Sequence, residues 1–233
     1  MLPIRDNVPT RTPAFVTVGL IVANSVVWIW ELRHTRYDVF HSGFYPCSVS
    51  GPCIVPPAAA QHLPWYEGVF AGMFMHASWA HILGNMLFLW IFGNNVEDAL
   101  GHVRFLLWYL AAGLAAFALQ TAITLHYASS VDASIPNIGA SGAIAGVLGA
   151  YFVLLPRASV LTLLGFFIPV YLPAFLFLGV WFGFQLWEGN AALTHPQAGG
   201  GVAFFAHVGG FLFGAATIHF VRRRSWTPLP YGR

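Results

Sequence analysis

The sequence predicts an all-α integral membrane protein, built as a bundle of six transmembrane helices. Of its 233 residues, 58% are hydrophobic and only 8% are charged, whereas a soluble domain carries roughly 25% charged residues. The apolar residues form long runs that contain Gly and Pro, which favours helices over the alternating ~10-residue strands of a membrane barrel. Two Cys and a formal net charge of +2 argue against a disulfide-rich secreted protein and against a nucleic-acid partner.

Six apolar stretches are long enough to be membrane spans, which need about 20 residues each. They cover residues 14–31, 69–94, 103–126, 138–155, 160–187 and 202–221. Pro169 and Pro173 predict a kink or an early break in the fifth stretch. We therefore expect a cytoplasmic N-terminus at 1–13, a membrane domain at 14–221 with an outer loop at 32–68, and a basic cytoplasmic tail at 222–233.

The arginines predict how the bundle is oriented. The two ends and the loops on their side hold eight of the ten basic residues: Arg5, Arg11, Arg104, Arg157, Arg222, Arg223, Arg224 and Arg233. The opposite side holds Arg33 and Arg36. Since cytoplasmic segments carry the excess of basic residues, both termini are expected in the cytoplasm. Many Ala, Gly and Arg residues and no Lys favour a GC-rich bacterial genome, and hence a multi-pass protein of the bacterial inner membrane, with an organelle membrane as the alternative.

Four polar residues in the predicted spans fall at one depth. His81 and Asn85 lie four residues apart on one face of the second span. Ser141 lies in the first turn of the fourth span, and His207 lies about six residues into the sixth. These three spans all run from outside to inside, so the four side chains share the outer half of the membrane. Polar groups are costly there, which marks them as functional candidates.

A serine and a histidine at equal depth indicate nucleophilic catalysis. A serine hydroxyl is a weak nucleophile until a base accepts its proton, and histidine is the usual base. Ser141 and His207 are therefore the predicted catalytic residues, and with no acid at that depth we expect a dyad rather than a triad. The Ser141 amide, His81 and Asn85 would donate hydrogen bonds to an oxyanion.

Glycines predict close contact between the fourth and sixth spans. The set beside the serine is Gly139, Gly142 and Gly146, and the set beside the histidine is Gly210 and Gly214. Small-residue stripes of this kind let helix backbones approach in lipid. We expect this contact to bring Ser141 Oγ within hydrogen-bond reach of the imidazole of His207.

These motifs resemble the rhomboid family of intramembrane serine proteases, over about residues 70–221. They are HASWAHILGN at 76–85, VEDALG at 96–101, GASG at 139–142, and Ala206-His207 followed by Gly210 and Gly214. The resemblance implies Ser141 as nucleophile, His207 as general base, and Ser141, His81 and Asn85 as the oxyanion hole. It also implies a single-pass membrane protein as substrate, cut in or near its transmembrane segment within the lipid bilayer. No cofactor and no metal ion are expected.

Two other functions stay open. A six-helix transporter or channel would use the intramembrane His and Asn side chains to line a pathway, with polar residues through the full depth of the bundle and inverted repeats. A catalytically silent relative would bind membrane proteins and keep its activity without Ser141. A metalloprotease is disfavoured, because no Glu accompanies the His residues in a His-Glu-x-x-His pattern.

Two cysteines lie close together in the predicted outer loop. They are Cys47 and Cys53. An oxidising exterior permits a disulfide between them, and two free thiols are the alternative.

Overall fold

The computed structural model describes residues 1–55, 60–165, 167–194 and 203–231, with the backbone alone given at 34–38 and 194. These residues form seven α-helices: α1 (Phe15–Ser42), α2 (Trp65–Gly72), α3 (Trp79–Leu100), α4 (His102–Tyr127), α5 (Ser141–Leu154), α6 (Ala174–Thr194) and α7 (Phe204–Val221). They also form three strands: β1 (Leu2–Asp6), β2 (Ser159–Leu164) and β3 (Ile168–Pro173). The start of the sixth predicted span, residue 202, and the last arginine, Arg233, lie outside the described residues.

Three of the described helices are long and apolar enough to cross a membrane. They are α1 over Phe15–Arg33, α4 and α7. The apolar helix α5 has only 14 residues, which is about 21 Å at 1.5 Å per residue and less than a ~30 Å hydrocarbon core. A helix of this length can therefore begin below the surface of the membrane.

The prediction of a helical protein holds for most of the chain, but the first part of the fifth predicted span is a β-hairpin rather than a helix. β2 and β3 pair antiparallel, with Ser159 opposite Pro173, and Gly165 adopts φ +57° in the turn. β-branched residues along both strands favour extended backbone. Pro169 and Pro173 lack the N–H donors that a helix needs, and α6 begins only at Ala174. The protein is mostly helical with one small sheet.

The N-terminal segment forms the third strand of this sheet. β1 pairs antiparallel with β2, with Leu2 opposite Leu163 and Asp6 opposite Val160. The Asp6 carboxylate accepts hydrogen bonds from Tyr151 Oη at 2.6 Å and from Asn95 Nδ2 at 2.8 Å. Burial raises the pKa of Asp6 to about 6, against the lowering effect of these donors. The sheet places the chain before α1 and the connection from α5 to α6 on the same side of the bundle.

Two boundaries in the first half of the chain also differ from the prediction. α1 continues to Ser42, so residues 32–42 are helical rather than loop. The second predicted span is interrupted, since α2 ends at Gly72 and α3 begins at Trp79. Ser78 ends the break by accepting the His81 N–H at 3.1 Å as the N-cap of α3.

Buried acids at the end of α3 hold the opposite side of the bundle together. Glu97 is fully buried, and its carboxylate accepts the backbone N–H groups of Val16 and Thr17 at the start of α1. Asp98 accepts hydrogen bonds from Thr12 and from the indole N–H of Trp226. Carboxylates at a helix N-terminus satisfy its free donors and its positive dipole. Part of the VEDALG motif thereby joins α1 and the C-terminal tail to α3.

The centre of the fold is α5, which is buried on every side from Gly142 to Tyr151. Its neighbours are α3, α4, α6 and α7. A helix that is apolar all round is expected in such a central position. Ser141 lies at the amino end of this helix.

Candidate active site

Ser141 is the first residue of α5, and the turn before it is held by backbone hydrogen bonds. Asn137 and Phe44 exchange two of these bonds, at 2.7 and 3.1 Å, and Gly139 donates to the carbonyl of Gly72 at 2.8 Å. The carboxyl ends of α1 and α2 therefore fix where α5 begins. This arrangement places the serine hydroxyl and its backbone amide at the amino end of the buried helix.

Gly139 lies in this turn, two residues before α5 begins, rather than within the helix where it was expected. Its φ is +119°, a backbone conformation that favours glycine. A Cβ atom on Gly139 would lie 2.7 Å from Nε2 of His81, and the imidazole occupies the space that the missing side chain leaves. The glycine brings the α3 imidazole close to the start of α5.

The other four glycines lie in the contacts of α5. A Cβ added at Gly210 would lie 1.9 Å from the carbonyl oxygen of Gly142, and one at Gly214 would lie 1.9 Å from that of Gly146. Cβ atoms on Gly142 and Gly146 would lie 2.6 Å from alanine Cβ atoms of α4. The backbones of α5 and α7 are therefore in direct contact, with α4 against the same stripe.

Ser141 and His207 meet across this contact. Nε2 of His207 lies 2.8 Å from Oγ of Ser141, which is hydrogen-bond distance. Both side chains are half-buried. A hydroxyl that donates to an imidazole nitrogen is the arrangement in which the base can take the proton as the oxygen attacks.

The other imidazole nitrogen is held by a residue that sequence reasoning did not identify. Nδ1 of His207 lies 2.7 Å from Oε1 of Gln185 in α6, and the Gln185 amide N–H donates to the carbonyl of Trp181 at 3.4 Å. An amide oxygen can only accept, so the proton of the neutral ring is on Nδ1, and Nε2 is left as the acceptor for Ser141. The Trp181 ring also packs against the imidazole, with centroids 5.8 Å apart.

A signal for Gln185 was present in the sequence. It is a polar residue in a long apolar run, FLFLGVWFGFQLW at 175–187, and a polar group inside a span is a functional candidate. Hydropathy marks this residue as polar, but it does not identify His207 as its partner.

His81 presents its other ring nitrogen to the start of α5. The Ala77 N–H donates to Nδ1 of His81 at 3.4 Å, which leaves the proton of the neutral ring on Nε2. Nε2 is the atom packed against Gly139, two residues before the serine. The imidazole therefore points its Nε2–H donor toward the start of α5, where Ser141 lies.

Asn85 is buried, and its amide lies 3.0 Å from Nε2 of His76. The backbone N–H of His76 donates to the buried carboxylate of Glu31 at 3.2 Å, and the His76 and His81 rings meet edge to face at 5.0 Å. His76, from the break before α3, thus positions the Asn85 amide. One amide hydrogen points to His76, and the amide group carries a second.

The remaining predicted residues lie away from this cluster. Cys47 and Cys53 form a disulfide with a Cα–Cα distance of 5.3 Å, in the loop after α1. Within the described residues there is no group of three His, Cys, Asp or Glu side chains that could hold a metal ion.

The chain is similar in sequence to a family of known proteins. The family model described as Rhomboid domain matches residues 64–224. The chain is 31% identical over 148 residues to "Rhomboid protein 1, mitochondrial" of Saccharomyces cerevisiae, covering 63% of the chain and 39% of that protein. It is 47% identical over 76 residues to "Rhomboid protease GluP" of Bacillus subtilis, covering 33% of the chain and 13% of that protein. It is 31% identical over 217 residues to human "Presenilin-associated rhomboid-like protein, mitochondrial", covering 89% of the chain and 48% of that protein. The chain spans less than half the length of these three relatives.

Proposed function

The chain belongs to the rhomboid family, and from that premise we propose that it is a serine endopeptidase that hydrolyses peptide bonds in or near transmembrane segments of membrane proteins. The apolar helices and the rhomboid domain make it an integral membrane protein. The observation that carries the proposal is the 2.8 Å contact between Ser141 Oγ and His207 Nε2. A similar bacterial protein is named a rhomboid protease, which supports the same activity here.

In the proposed first step, Ser141 Oγ attacks the carbonyl carbon of the scissile bond. Nε2 of His207 takes the hydroxyl proton, while Nδ1–H stays bonded to Gln185. The tetrahedral intermediate collapses as the imidazolium gives its proton to the leaving amine nitrogen. Water then attacks the acyl-serine, again with His207 as base, and Ser141 is released with its hydroxyl proton restored.

The developing oxyanion needs fixed donors near the attacking oxygen. We propose the Ser141 backbone amide, Nε2–H of His81 and the second amide hydrogen of Asn85 for this role. The hydrogen bonds to the Ala77 N–H and to His76 support the proposal, because they set the orientation of the His81 ring and the Asn85 amide. Donors held in this way need no rearrangement when the charge forms.

For the membrane arrangement we propose six spans within residues 14–221, with both termini in the cytoplasm. The sheet supports this topology, because it joins the N-terminal segment to the connection between α5 and α6 on one side. Arg5 and Arg157 both lie in these segments, in keeping with a cytoplasmic side. We propose a bacterial inner membrane as its location, and the similar proteins include both a bacterial and a mitochondrial one.

The experiment that tests the function is labelling of the purified protein with a fluorophosphonate, which reacts with activated serines. The folded wild-type protein is expected to carry one adduct, mapped to Ser141 by mass spectrometry of peptides. Heat-denatured protein and the Ser141→Ala variant are expected to carry none. An unlabelled wild-type protein would favour a catalytically silent relative, and an adduct on another serine would move the site.

Gln185 is proposed as a positioning residue for His207. Gln185→Leu keeps the side-chain size and removes the acceptor for Nδ1–H, so the imidazole loses the bond that fixes its proton and its orientation. A misplacement of about 1 Å can cost about 100-fold in rate. We expect kcat for a transmembrane reporter to fall about 10- to 100-fold in Gln185→Leu, with KM little changed.

The matched variant is Gln185→Glu, which retains an acceptor at the same position. It is expected to recover most of the lost kcat, whereas a purely structural role would make a buried carboxylate at least as damaging as leucine. Equal kcat in Gln185→Leu and wild type would contradict the positioning role.

A further inference from the structure

A groove between the inner ends of α4 and α7 combines an apolar wall with a cationic rim. We call it the α4–α7 groove. Its volume is about 860 Å³. The wall is formed by Leu107, Trp108, Ala111, Phe213 and Phe220, and the rim by Arg104, Arg222, Arg223 and Arg224. The rim lies on the side of the bundle that carries the arginine excess.

Among the described residues, Asp98 is the one anionic side chain within salt-bridge distance of the rim arginines. Arg223 donates to the carbonyl of Asp98, and its guanidinium lies 3.9 Å from the carboxylate of that residue. Within the described residues no carboxylate lies within salt-bridge distance of Arg104, Arg222 or Arg224. Three permanent positive charges therefore converge on one end of the groove, and they favour an anion there.

The wall of the groove is suited to a hydrocarbon chain. Leu107 is 63% exposed and Phe220 is 87% exposed, on helices that are apolar enough to face lipid. Behind them the Trp108 indole N–H donates to Thr217 Oγ1 at 2.9 Å, so the floor of the groove has its polar groups paired. A free phosphate would meet the rim but leave this apolar surface open.

We propose that the α4–α7 groove binds one anionic phospholipid of the inner leaflet. The phosphodiester lies among Arg104, Arg222 and Arg224, and an acyl chain lies along the apolar wall toward Ala111. Basic pockets at the cytoplasmic ends of membrane helices attract anionic headgroups, with a contribution from each basic residue. The bound lipid joins the inner end of α7, the helix that carries His207, to α4. This inference is independent of the proposed catalytic activity.

The test is thermal unfolding of delipidated protein in a neutral detergent, with phosphatidylglycerol added at increasing concentration. A ligand that binds the folded state raises Tm in a saturable way, and native mass spectrometry is expected to show one retained lipid. Phosphatidylcholine and glycerol 3-phosphate serve as comparisons, and neither is expected to raise Tm. Equal stabilisation by phosphatidylcholine would indicate unspecific lipid contact, equal stabilisation by glycerol 3-phosphate would indicate a simple phosphate site, and either result would overturn the proposal.

Two variants separate the headgroup from the chain. Arg222→Gln combined with Arg224→Gln is expected to weaken phosphatidylglycerol binding at least about tenfold. Ala111→Phe fills the apolar end while keeping every charge, and it is expected to weaken binding as well. Arg157→Gln removes a positive charge from the same side but outside the groove, and it should bind as wild type does. If Arg157→Gln loses as much as the double variant, or if Ala111→Phe binds normally, the groove is not the lipid site.

Discussion

Cleavage of a transmembrane reporter is expected to fall to the same residual rate in Ser141→Ala, in His207→Ala and in the double variant. The two side chains share one proton through a 2.8 Å hydrogen bond, so either deletion removes the activated nucleophile as a unit. Residues that act as a unit show non-additive losses, of up to about 10⁶ in a serine protease. The measurement is the initial rate of reporter cleavage in reconstituted vesicles, for the three variants and the wild type.

The matched control for the histidine is His219→Ala. His219 lies on α7 as well, at its inner end and exposed, so its replacement changes the same helix in the same way without touching the site. It should cleave at the wild-type rate. Losses that add up in the double variant would mean that Ser141 and His207 act separately, and cleavage by Ser141→Ala would assign the nucleophile elsewhere.

The parts of the site that could be predicted are those that one helix displays by itself. His81 and Asn85 share a face because they are four residues apart, and Gly210 follows His207 by three on α7. Such spacing indicates which residues share a face, and matched depth in parallel spans indicates which faces meet. The close approach of Ser141 and His207 followed from this reasoning, and the structure places them at hydrogen-bond distance.

Contacts between two helices could not be predicted in this way where the sequence does not specify how the helices are rotated against each other. The bond from Gln185 to His207 depends on how α6 is rotated against α7, and an apolar helix with little amphipathic pattern does not specify its rotation. The bond from His76 to Asn85 depends on a break before α3 that hydropathy does not reveal. Both residues were visible as polar groups in apolar surroundings, but their partners were not.

The small sheet shows a different limit. An apolar run is compatible with a buried helix or with strands, and length is what separates the two. Residues 160–187 appear long enough for a span only because the hairpin and α6 follow each other without a polar interruption. Pro169 and Pro173 predict a kink or an early break in a helix, and neither specifies the strand pairing that the hairpin adopts. The pairing of β1 with β2 joins segments more than 150 residues apart, which no local pattern encodes.

The second large effect is expected from a single methyl group in the contact between α5 and α7. In Gly210→Ala the new Cβ would lie 1.9 Å from the carbonyl oxygen of Gly142, where real contacts are essentially never below 3.0 Å. Both partners are backbone, so no side chain can rotate away, and α7 must move from α5 by about 1 Å. His207 precedes Gly210 by one helical turn and moves with it. We expect cleavage to fall by about 100-fold or more and the protein to unfold at a lower temperature.

The control is Gly183→Ala in α6, where an added Cβ would meet no atom within 4 Å. This variant makes the same chemical change in a neighbouring helix and should retain both the activity and the melting temperature of the wild type. A fluorophosphonate distinguishes a displaced base from an unfolded protein, because folded Gly210→Ala keeps Ser141 but lowers its rate of labelling. If folded Gly210→Ala were labelled and cleaved its reporter at the wild-type rate, the direct backbone contact would not set the distance between Ser141 and His207, and that distance would have to be set by the turn at Gly139 and the bond to Gln185.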